Sequence, residues 1–298
     1  MEVVIMNEYE VTCQSANTLN YSKKIFIYIV EPSIINDQTG IMHYAHGWGG
    51  NRYQYRDVQK EFADRYNLIC IATEYRQSGY YFDPVTGTGA DVPYDASHYQ
   101  VIDCLNAVRK AISLYPSINR RRLISFGGSQ GGHVAMLMSI FCPHTFAFVV
   151  SGSGISHADP KITGWAGRDF SADELAIRDV IRMAGRVQCP VALMHGTADT
   201  VVAVDHTRLL EKALRENGKT VRVKYVEGGG HALEPVTDRK TVTVELADDW
   251  LKSLVNQQAN DFDSQSKIEI PCVTRKVVID WSKPPADSAL ISWGAMDQ

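Results

Sequence analysis

The chain has 298 residues, of which 45% are apolar and 21% charged, and its formal net charge is -4. This composition is that of an ordinary globular protein with enough apolar material for one large α/β domain or two small ones. The weak negative charge excludes the basic footprint of a nucleic-acid or anionic-membrane binder. No apolar run approaches the length of about 20 residues that spans a bilayer.

The N-terminus and the cysteines both predict a cytoplasmic location. The first eight residues lack the basic region and apolar core of a secretory signal. The six cysteines are scattered without a C-x-x-C pair, and most stand in apolar surroundings. This favours buried, reduced thiols over disulfides or a zinc site.

The first part of the chain alternates strands with a helix, in the β-loop-α-β order of a parallel sheet with covering helices. The predicted elements are strands at 2–5, 24–30, 40–45 and 67–72 and a helix at 53–66.

Periodicity stops at 73–96, a segment rich in aromatic residues, glycine and proline. A loop of this length at the carboxyl end of a strand is where open α/β sheets bind ligands. We therefore expect Tyr75, Arg76, Tyr80 and Tyr81 to line a substrate pocket. The alternative is a surface loop that is pinned by its own rings.

The rest of the chain continues the same alternation. Residues 152–187 follow the sixth strand and predict a small helical cap, to which we assign Trp165 as a further pocket residue. The α/β domain is predicted to cover 1–256, and 257–298 is a C-terminal appendage in which 267–270 and 276–281 can pair as a β-hairpin. The remaining predicted elements are strands at 122–126, 145–151, 190–194 and 221–226 and helices at 97–114, 205–217 and 237–255.

The segment FGGSQGGH at 126–133 joins an apolar strand to an apolar helix. Gly127, Ser129 and Gly131 form the pattern G-x-S-x-G, in which a sharp strand-to-helix turn lifts the serine hydroxyl above the sheet edge. The glycines have no Cβ that would clash with the neighbouring strand and helix. The alternative is a glycine-rich turn without chemistry, and the glycine pairs that flank the serine favour a nucleophile.

Two further segments at predicted strand ends supply the partners of a serine nucleophile. Asp199 follows one strand and the pair His195-Gly196, and His231 follows another strand and three glycines. A serine needs a base, an acid that orients the base, and donors for the oxyanion. The order Ser129, Asp199, His231 is that of the α/β-hydrolase fold. Asp205 is a rival acid, although it fits better as the N-cap of the next helix.

The oxyanion donors are expected from two backbone amides. The amide of Gln130 follows the nucleophile directly, and that of Trp48 lies in the loop after the third strand, where it follows His46. We expect His46 and His195 to stabilise their loops, and His133 to pack inside the nucleophile's helix. The other histidines lack metal-ligand spacing such as H-E-x-x-H, so neither a catalytic metal nor a cofactor is predicted.

From about residue 24 to 255 the chain resembles the α/β-hydrolase serine enzymes. The resemblance rests on HGWGG at 46–50, GGSQGG at 127–132, HGTAD at 195–199 and Gly230-His231. The Asp and His segments are similar to those of the prolyl-oligopeptidase-like and dienelactone-hydrolase-like branches. The Ser-Gln-Gly-Gly turn is similar to that of acetyl xylan esterases and cephalosporin deacetylases. The resemblance implies an α/β-hydrolase fold: a mostly parallel central sheet, helices on both faces, and a small cap after the sixth strand.

These observations predict a serine esterase or deacylase that acts through an acyl-enzyme. The expected substrate is a small-molecule or saccharide acyl ester, such as an acetylated carbohydrate, and neither a nucleic-acid nor a membrane partner is expected. A peptidase or amidase would use the same three residues, so it stays an alternative. A third possibility is a non-enzymatic binding protein with this fold. The sequence does not determine the oligomeric state.

Overall fold

The computed structural model describes residues 7–18, 23–79, 93–254 and 260–296. Within them, eleven strands form an eight-stranded and a three-stranded sheet. The strands are β1 (Glu8–Gln14), β2 (Lys24–Val30), β3 (Gly40–Ala45), β4 (Leu68–Glu74), β5 (Leu123–Gly128), β6 (Phe148–Gly152), β7 (Val191–Gly196), β8 (Val221–Val226), β9 (Lys267–Pro271), β10 (Arg275–Asp280) and β11 (Ile291–Ala295). The helices are α1 (Arg56–Tyr66), α2 (His98–Leu114), α3 (Gln130–Phe141), α4 (Pro160–Ala166), α5 (Ala172–Ile177), α6 (Asp205–Glu216) and α7 (Arg239–Lys252).

The large sheet has the order β1-β2-β4-β3-β5-β6-β7-β8. The first two strands pair antiparallel, as do β2 and β4, and all later pairs are parallel. The central strands β3 to β7 are buried along their whole length, as strands covered on both faces are. All parallel strands therefore end at one edge, where the connections that carry the candidate residues begin.

Helices cover both faces of this sheet. On one face, α1 and α7 pack through an apolar cluster that includes Phe62 and Leu251. On the other, α2, α3 and α6 pack through a larger cluster that includes Leu105 and Met136. The predicted α/β arrangement is thus present. None of the described helices has the length and hydropathy of a segment that crosses a bilayer.

The structure differs from the sequence expectations at several boundaries. The strand expected at 2–5 lies outside the described residues, and the sheet's first strand is β1, which was not predicted. As an edge strand it has no fully buried residue, so it lacks the apolar run by which the other strands were found. The helix expected from 53 begins at Arg56. Asp205 is the first residue of α6, and Val204 is its N-cap, so the assignment of Asp205 as the N-cap was wrong.

The C-terminal strands pack against the large sheet's helices. Strands β9 and β10 pair antiparallel, and β11, which was not predicted, pairs with β10. Trp281 is buried and its indole Nε1 donates to the carbonyl of Phe141 in α3 (3.1 Å). Val277 and Ile279 belong to the same apolar cluster as α2 and α3. The division into a domain and an appendage stays a prediction.

The glycine at 127 generates a stability prediction. A Cβ at Gly127 would overlap the backbone of Gly131, whereas a Cβ at Gly164 in α4 would meet nothing within 4 Å. We expect Gly127→Ala to lower the free energy of unfolding by about 3 kcal/mol through overpacking. Gly164→Ala should raise it by about 0.5–1 kcal/mol through helix propensity. Urea denaturation measures both, and equal effects of the two substitutions would contradict the packing argument.

The buried histidines predict how the free energy of unfolding depends on pH. Burial lowers the pKa of His43 and His133 to about 3 and that of His46 to about 4, against about 6.5 in an unfolded chain. Below pH 6.5 the unfolded chain therefore binds more protons, and the free energy of unfolding falls by about 1.4 kcal/mol per pH unit for each such histidine. His133→Gln should therefore reduce the fall in the free energy of unfolding between pH 6 and 5 by about 1.4 kcal/mol.

The matched control for this prediction is His144→Gln, because His144 is exposed. It should leave the pH dependence of the free energy of unfolding unchanged. If His133→Gln and His144→Gln gave the same slope, the burial of His133 would not be the source of the acid sensitivity.

Candidate active site

Ser129 stands on the sharp turn between β5 and α3. Its backbone has φ 60° and ψ -128°, a left-handed conformation that is rare for a residue with a side chain. Cβ atoms at the flanking glycines would overlap backbone: at Gly127 that of Gly131, and at Gly131 the carbonyl of Ala45 in β3. The amide of Ser129 donates to the carbonyl of Gly152 (2.8 Å). Close packing of the turn on its neighbours thus holds the serine in place.

Asp199 and His231 meet on the connections that follow β7 and β8. The Asp199 carboxylate oxygen Oδ2 lies 2.7 Å from His231 Nδ1. The carboxylate side chain is fully buried, whereas that of His231 is 24% exposed. A Cβ at Gly196 would overlap the carbonyl of Gly229, so this close backbone approach is what brings the two connections together.

The carboxylate of Asp199 accepts four hydrogen bonds. The amides of Val201 and Val202 donate to Oδ1 (2.8 and 3.0 Å), and His231 and His195 donate to Oδ2. Burial alone would raise the pKa of Asp199, but the hydrogen bonds from the two histidines outweigh it and hold that pKa below its usual range. Asp199 therefore stays ionised at neutral pH.

His195 supports the carboxylate, a contact that the sequence analysis did not foresee. Its Nε2 lies 3.1 Å from Asp199 Oδ2 and 3.0 Å from the carbonyl of Val202. Since both of these atoms only accept, Nε2 carries the proton, and Nδ1 accepts from the hydroxyl of Thr207 (2.7 Å). The spacing of four residues between His195 and Asp199 is the signal in the sequence that could have indicated this pair.

Arg239 contacts the two segments that carry Ser129 and His231. Ser129 Oγ and His231 Nε2 make no hydrogen bond within the described part of the chain. Arg239, the first residue of α7, donates from Nη2 to the carbonyl of His231 (2.6 Å). A Cβ placed on Gly128 would lie 2.8 Å from the guanidinium carbon of Arg239. Arg239 thus contacts both the turn that carries Ser129 and the loop that carries His231.

The charge of Arg239 is left without a counter-charge. No carboxylate of the described residues forms an ion pair with it, and its Nε is buried without a hydrogen-bond partner. Sequence reasoning missed this residue because a single arginine at the start of a helix matches no catalytic pattern.

The expected oxyanion amides lie next to Ser129. A Cβ at Gly47 would come within 3.4 Å of the Ser129 Cβ, so the connection after β3 lies against the serine. The amide of Gly47 donates to the side-chain oxygen of Gln54 (2.9 Å), which fixes this connection. The amides of Trp48 and Gln130 make no hydrogen bond to other described residues. Both remain available as donors.

Aromatic rings surround this end of the site. The ring of Trp48 stacks on Tyr94 at 4.3 Å between centroids and meets the edge of Trp165 at 5.9 Å. The hydroxyl of Tyr94 donates to the side-chain oxygen of Gln130 (2.8 Å). Sequence analysis had predicted Trp165 as a pocket residue but did not single out Tyr94 among the rings of 73–96.

Two of the other predicted pocket residues are held by contacts of their own. Tyr75 is fully buried, stacks on His46 at 4.0 Å and donates to its carbonyl (3.0 Å). Arg76 is 2% exposed and forms a two-pronged ion pair with Asp103, with two contacts of 2.8 Å. Tyr80 and Tyr81 lie outside the described residues.

The rival acid and the remaining histidines do not join the site. The side chain of Asp205 is 70% exposed and pairs with Arg208. His46 bonds the carbonyl of Gly47 and the hydroxyl of Ser78, and His133 bonds the carbonyl of Arg178 in the cap. Among the described residues there is no cluster of three or more potential metal ligands.

Comparisons with known proteins place this geometry in context. The chain is similar to an uncharacterized peptidase of Bacillus subtilis, YtmA, with 27% identity over 165 residues, which are 51% of this chain and 62% of that protein. Among solved structures it is similar to an acylaminoacyl peptidase of Pyrococcus horikoshii (TM-score 0.70, 16% identity, 87% of this chain and 44% of the other). It is also similar to a putative dipeptidyl aminopeptidase IV of Bacteroides ovatus (TM-score 0.66, 15% identity, 84% and 35%).

The chain thus spans less than two thirds of each of these proteins. The structural neighbours confirm the α/β-hydrolase fold predicted from the sequence. The model of the prolyl oligopeptidase family matches residues 91–258, which contain Ser129, Asp199 and His231. Because this match covers more than half of the chain, the protein belongs to the prolyl oligopeptidase family of α/β-hydrolase serine hydrolases.

Proposed function

We propose that the protein is a serine peptidase with Ser129 as nucleophile, His231 as base and Asp199 as the orienting acid. The observation that carries the proposal is the 2.7 Å contact between Asp199 and His231 at neighbouring strand ends, in a chain of a peptidase family whose elbow serine stands at the same sheet edge. A cytoplasmic location is part of the proposal, and the free state of all six cysteines supports it.

The reaction follows from the positions of the donors. The proton on His231 Nδ1 faces the ionised Asp199, which leaves Nε2 free to take the proton of Ser129 as Oγ attacks the carbonyl carbon. The amides of Gln130 and Trp48 donate to the oxyanion that forms. His231 then returns the proton to the leaving amine as the carbon–nitrogen bond breaks, and a water activated by His231 hydrolyses the acyl-enzyme.

A peptide substrate has more support than the acyl ester favoured by the sequence analysis. The family and the similar proteins are named as peptidases, and nothing in them supports an esterase of acetylated carbohydrates. The rings of Trp48 and Trp165 beside the oxyanion amides offer an apolar surface, which suits an apolar side chain next to the scissile bond. The main prediction of an esterase is therefore replaced by its alternative.

The first test is covalent labelling and turnover. We expect a fluorophosphonate probe to label the wild-type protein, and hydrolysis of peptide p-nitroanilides to exceed that of p-nitrophenyl acetate relative to each uncatalysed rate. Ser129→Ala should abolish labelling and lower kcat by about 10⁴-fold or more. The control is Ser113→Ala, since Ser113 is an exposed serine of α2.

The outcomes separate the alternatives. If the probe labels the protein but only the ester is hydrolysed, the protein is an esterase and the peptidase proposal is wrong. Undiminished labelling of Ser129→Ala would exclude Ser129 as nucleophile. If the folded wild-type protein is neither labelled nor active, the remaining alternative is a non-enzymatic binding protein with a hydrolase fold.

Arg239 is proposed as a positioning residue for this mechanism. It holds the carbonyl of His231 and packs against Gly128, so it sets the distance between the base and the nucleophile without touching the substrate. Hydrogen bonds from a charged donor contribute about 1.5–3 kcal/mol. Misplacement of the base should therefore appear in the chemical step.

We expect Arg239→Met, which keeps an unbranched apolar stem but removes the guanidinium, to lower kcat about ten- to hundredfold with KM little changed. Arg239→Lys should recover part of kcat, since an ammonium can still donate to the His231 carbonyl. Steady-state kinetics on folded variants measures both. Lys252→Met, on the same helix but 63% exposed, is the control. A rise in KM alone, or no change, would refute the positioning role.

A further inference from the structure

A second cavity lies outside the catalytic residues. Its volume is about 280 Å³, close to the lower end of small-molecule sites, about 300 Å³. The start of α2, the cap and the C-terminal sheet line it, together with Thr18 and with residues that follow β4. None of Ser129, Asp199, His231, Trp48 and Gln130 lines it. The lining residues on which the argument depends are His98, Tyr99, Arg168, Glu174, Arg275 and Trp293.

The carboxylates of Asp95 and Glu174, which line this cavity, and that of the neighbouring Asp173 are already occupied, Asp95 by the amide of Gln100 (2.9 Å) and by Arg178. Asp173, which holds the turn between β9 and β10, accepts from the amides of Val273, Thr274 and Arg275 and from the Thr274 hydroxyl and Arg275 Nε (2.6–3.2 Å). Glu174 accepts from Arg168 (2.9 Å) and from the amide of Ser171 (3.0 Å). A ligand that brings donors would find few partners here.

Several donors, in contrast, have no partner among the described residues. Both Nη atoms of Arg275 are in this state, and its guanidinium lies 4.3 Å from the centre of the Trp293 ring. Arg168 uses Nε and Nη1, which leaves Nη2. His98 is 2% exposed, and its buried Nε2 has no hydrogen-bond partner. An unsatisfied polar atom at this depth is uncommon in a folded protein.

The other arginines of the cavity do not add to this set. Arg76 is paired with Asp103. Arg178 donates to the carbonyls of Asp95, Ala96 and Glu174 and faces the Asp95 carboxylate at 3.4 Å. Both guanidinium groups therefore build the wall, and Arg275, Arg168 and His98 are left to meet a ligand.

We propose that this cavity is a second binding site, for a small carboxylate with an apolar group. The two Nη atoms of Arg275 match the two oxygens of a carboxylate in a fork, Arg168 Nη2 supplies a further donor, and His98 Nε2 donates in the tautomer that carries its proton there. The rings of Tyr99 and Trp293 line the cavity and contact the apolar part of the ligand. The site does not depend on catalysis by Ser129.

The C-terminal sheet acquires a role in this proposal. It contributes Arg275 and Trp293, and without these two residues the cavity would lose one wall and its forked donor. Asp173 of the cap fixes the strand that carries Arg275, so the two sides of the cavity are joined to each other.

The test is isothermal titration of phenylacetate into the full chain. We expect saturable binding to the wild-type protein that weakens at least tenfold in Arg275→Gln, because the charged fork is lost. Arg275→Lys keeps the charge without the fork and should bind with intermediate affinity. Arg208→Gln removes the same charge from an exposed pair outside the cavity and should bind as the wild type does.

Each other outcome overturns the proposal. No binding of phenylacetate, or equal binding by Arg275→Gln and the wild type, would mean that the cavity is not a carboxylate site. Loss of binding after fluorophosphonate treatment would place the ligand at Ser129. Binding of inorganic phosphate but not of phenylacetate would refute the carboxylate class. Arg275 is 45% exposed, so its variants are expected to fold, and thermal unfolding verifies this for each.

Discussion

The backbone contact between the turn at Ser129 and β3 is the constraint on which the rest of the site depends. Gly131 lies so close to the carbonyl of Ala45 that no side chain fits between them. This contact presses the start of α3 against the end of β3. In this packing Ser129 has a positive φ, and the connection that carries Trp48 lies beside it. Ser129 and the proposed oxyanion amides therefore lie together because of one packing contact.

The proposed acid and base, Asp199 and His231, are positioned in a different way, by the hydrogen bonds that fill one carboxylate. All four donors to Asp199 lie within 3.1 Å, and its side chain is fully buried. Such an environment keeps the charge and fixes the direction in which it points. Because the charge faces Nδ1 of His231, it also selects the tautomer whose Nε2 can accept a proton. His195 takes part only by orienting the acid.

The sequence is most informative where the candidate site has a pattern in one short segment. The glycines at 127 and 131 and the chain order of Ser129, Asp199 and His231 follow from the fold, so they could be read without coordinates. Contacts between distant segments could not. Arg239 and Tyr94 reach the site through packing that no local spacing encodes, and the half-buried edge strand β1 carries too weak an apolar signal.

The family match supports the proposed peptidase reaction more directly than the motif does. Esterases and peptidases share the same three residues, since the difference between them lies in the leaving group and in the walls that hold the substrate. We expected those walls in 73–96 and in the cap, where no periodicity guides a prediction. Trp165, a pocket residue predicted there, meets the ring of Trp48, whereas Tyr75 supports His46.

The bonds of Asp173 to the turn between β9 and β10 bear on how the cap can move. The cap cannot lift from the sheet by itself, because that motion would break all five of these hydrogen bonds. Arg182 and Arg186, which donate to carbonyls of β9 and the turn, would lose their partners as well. Cap and C-terminal sheet therefore behave as one mechanical unit, and since Trp281 anchors that sheet to α3, a displacement of the unit would pull on the helix that begins directly after Ser129.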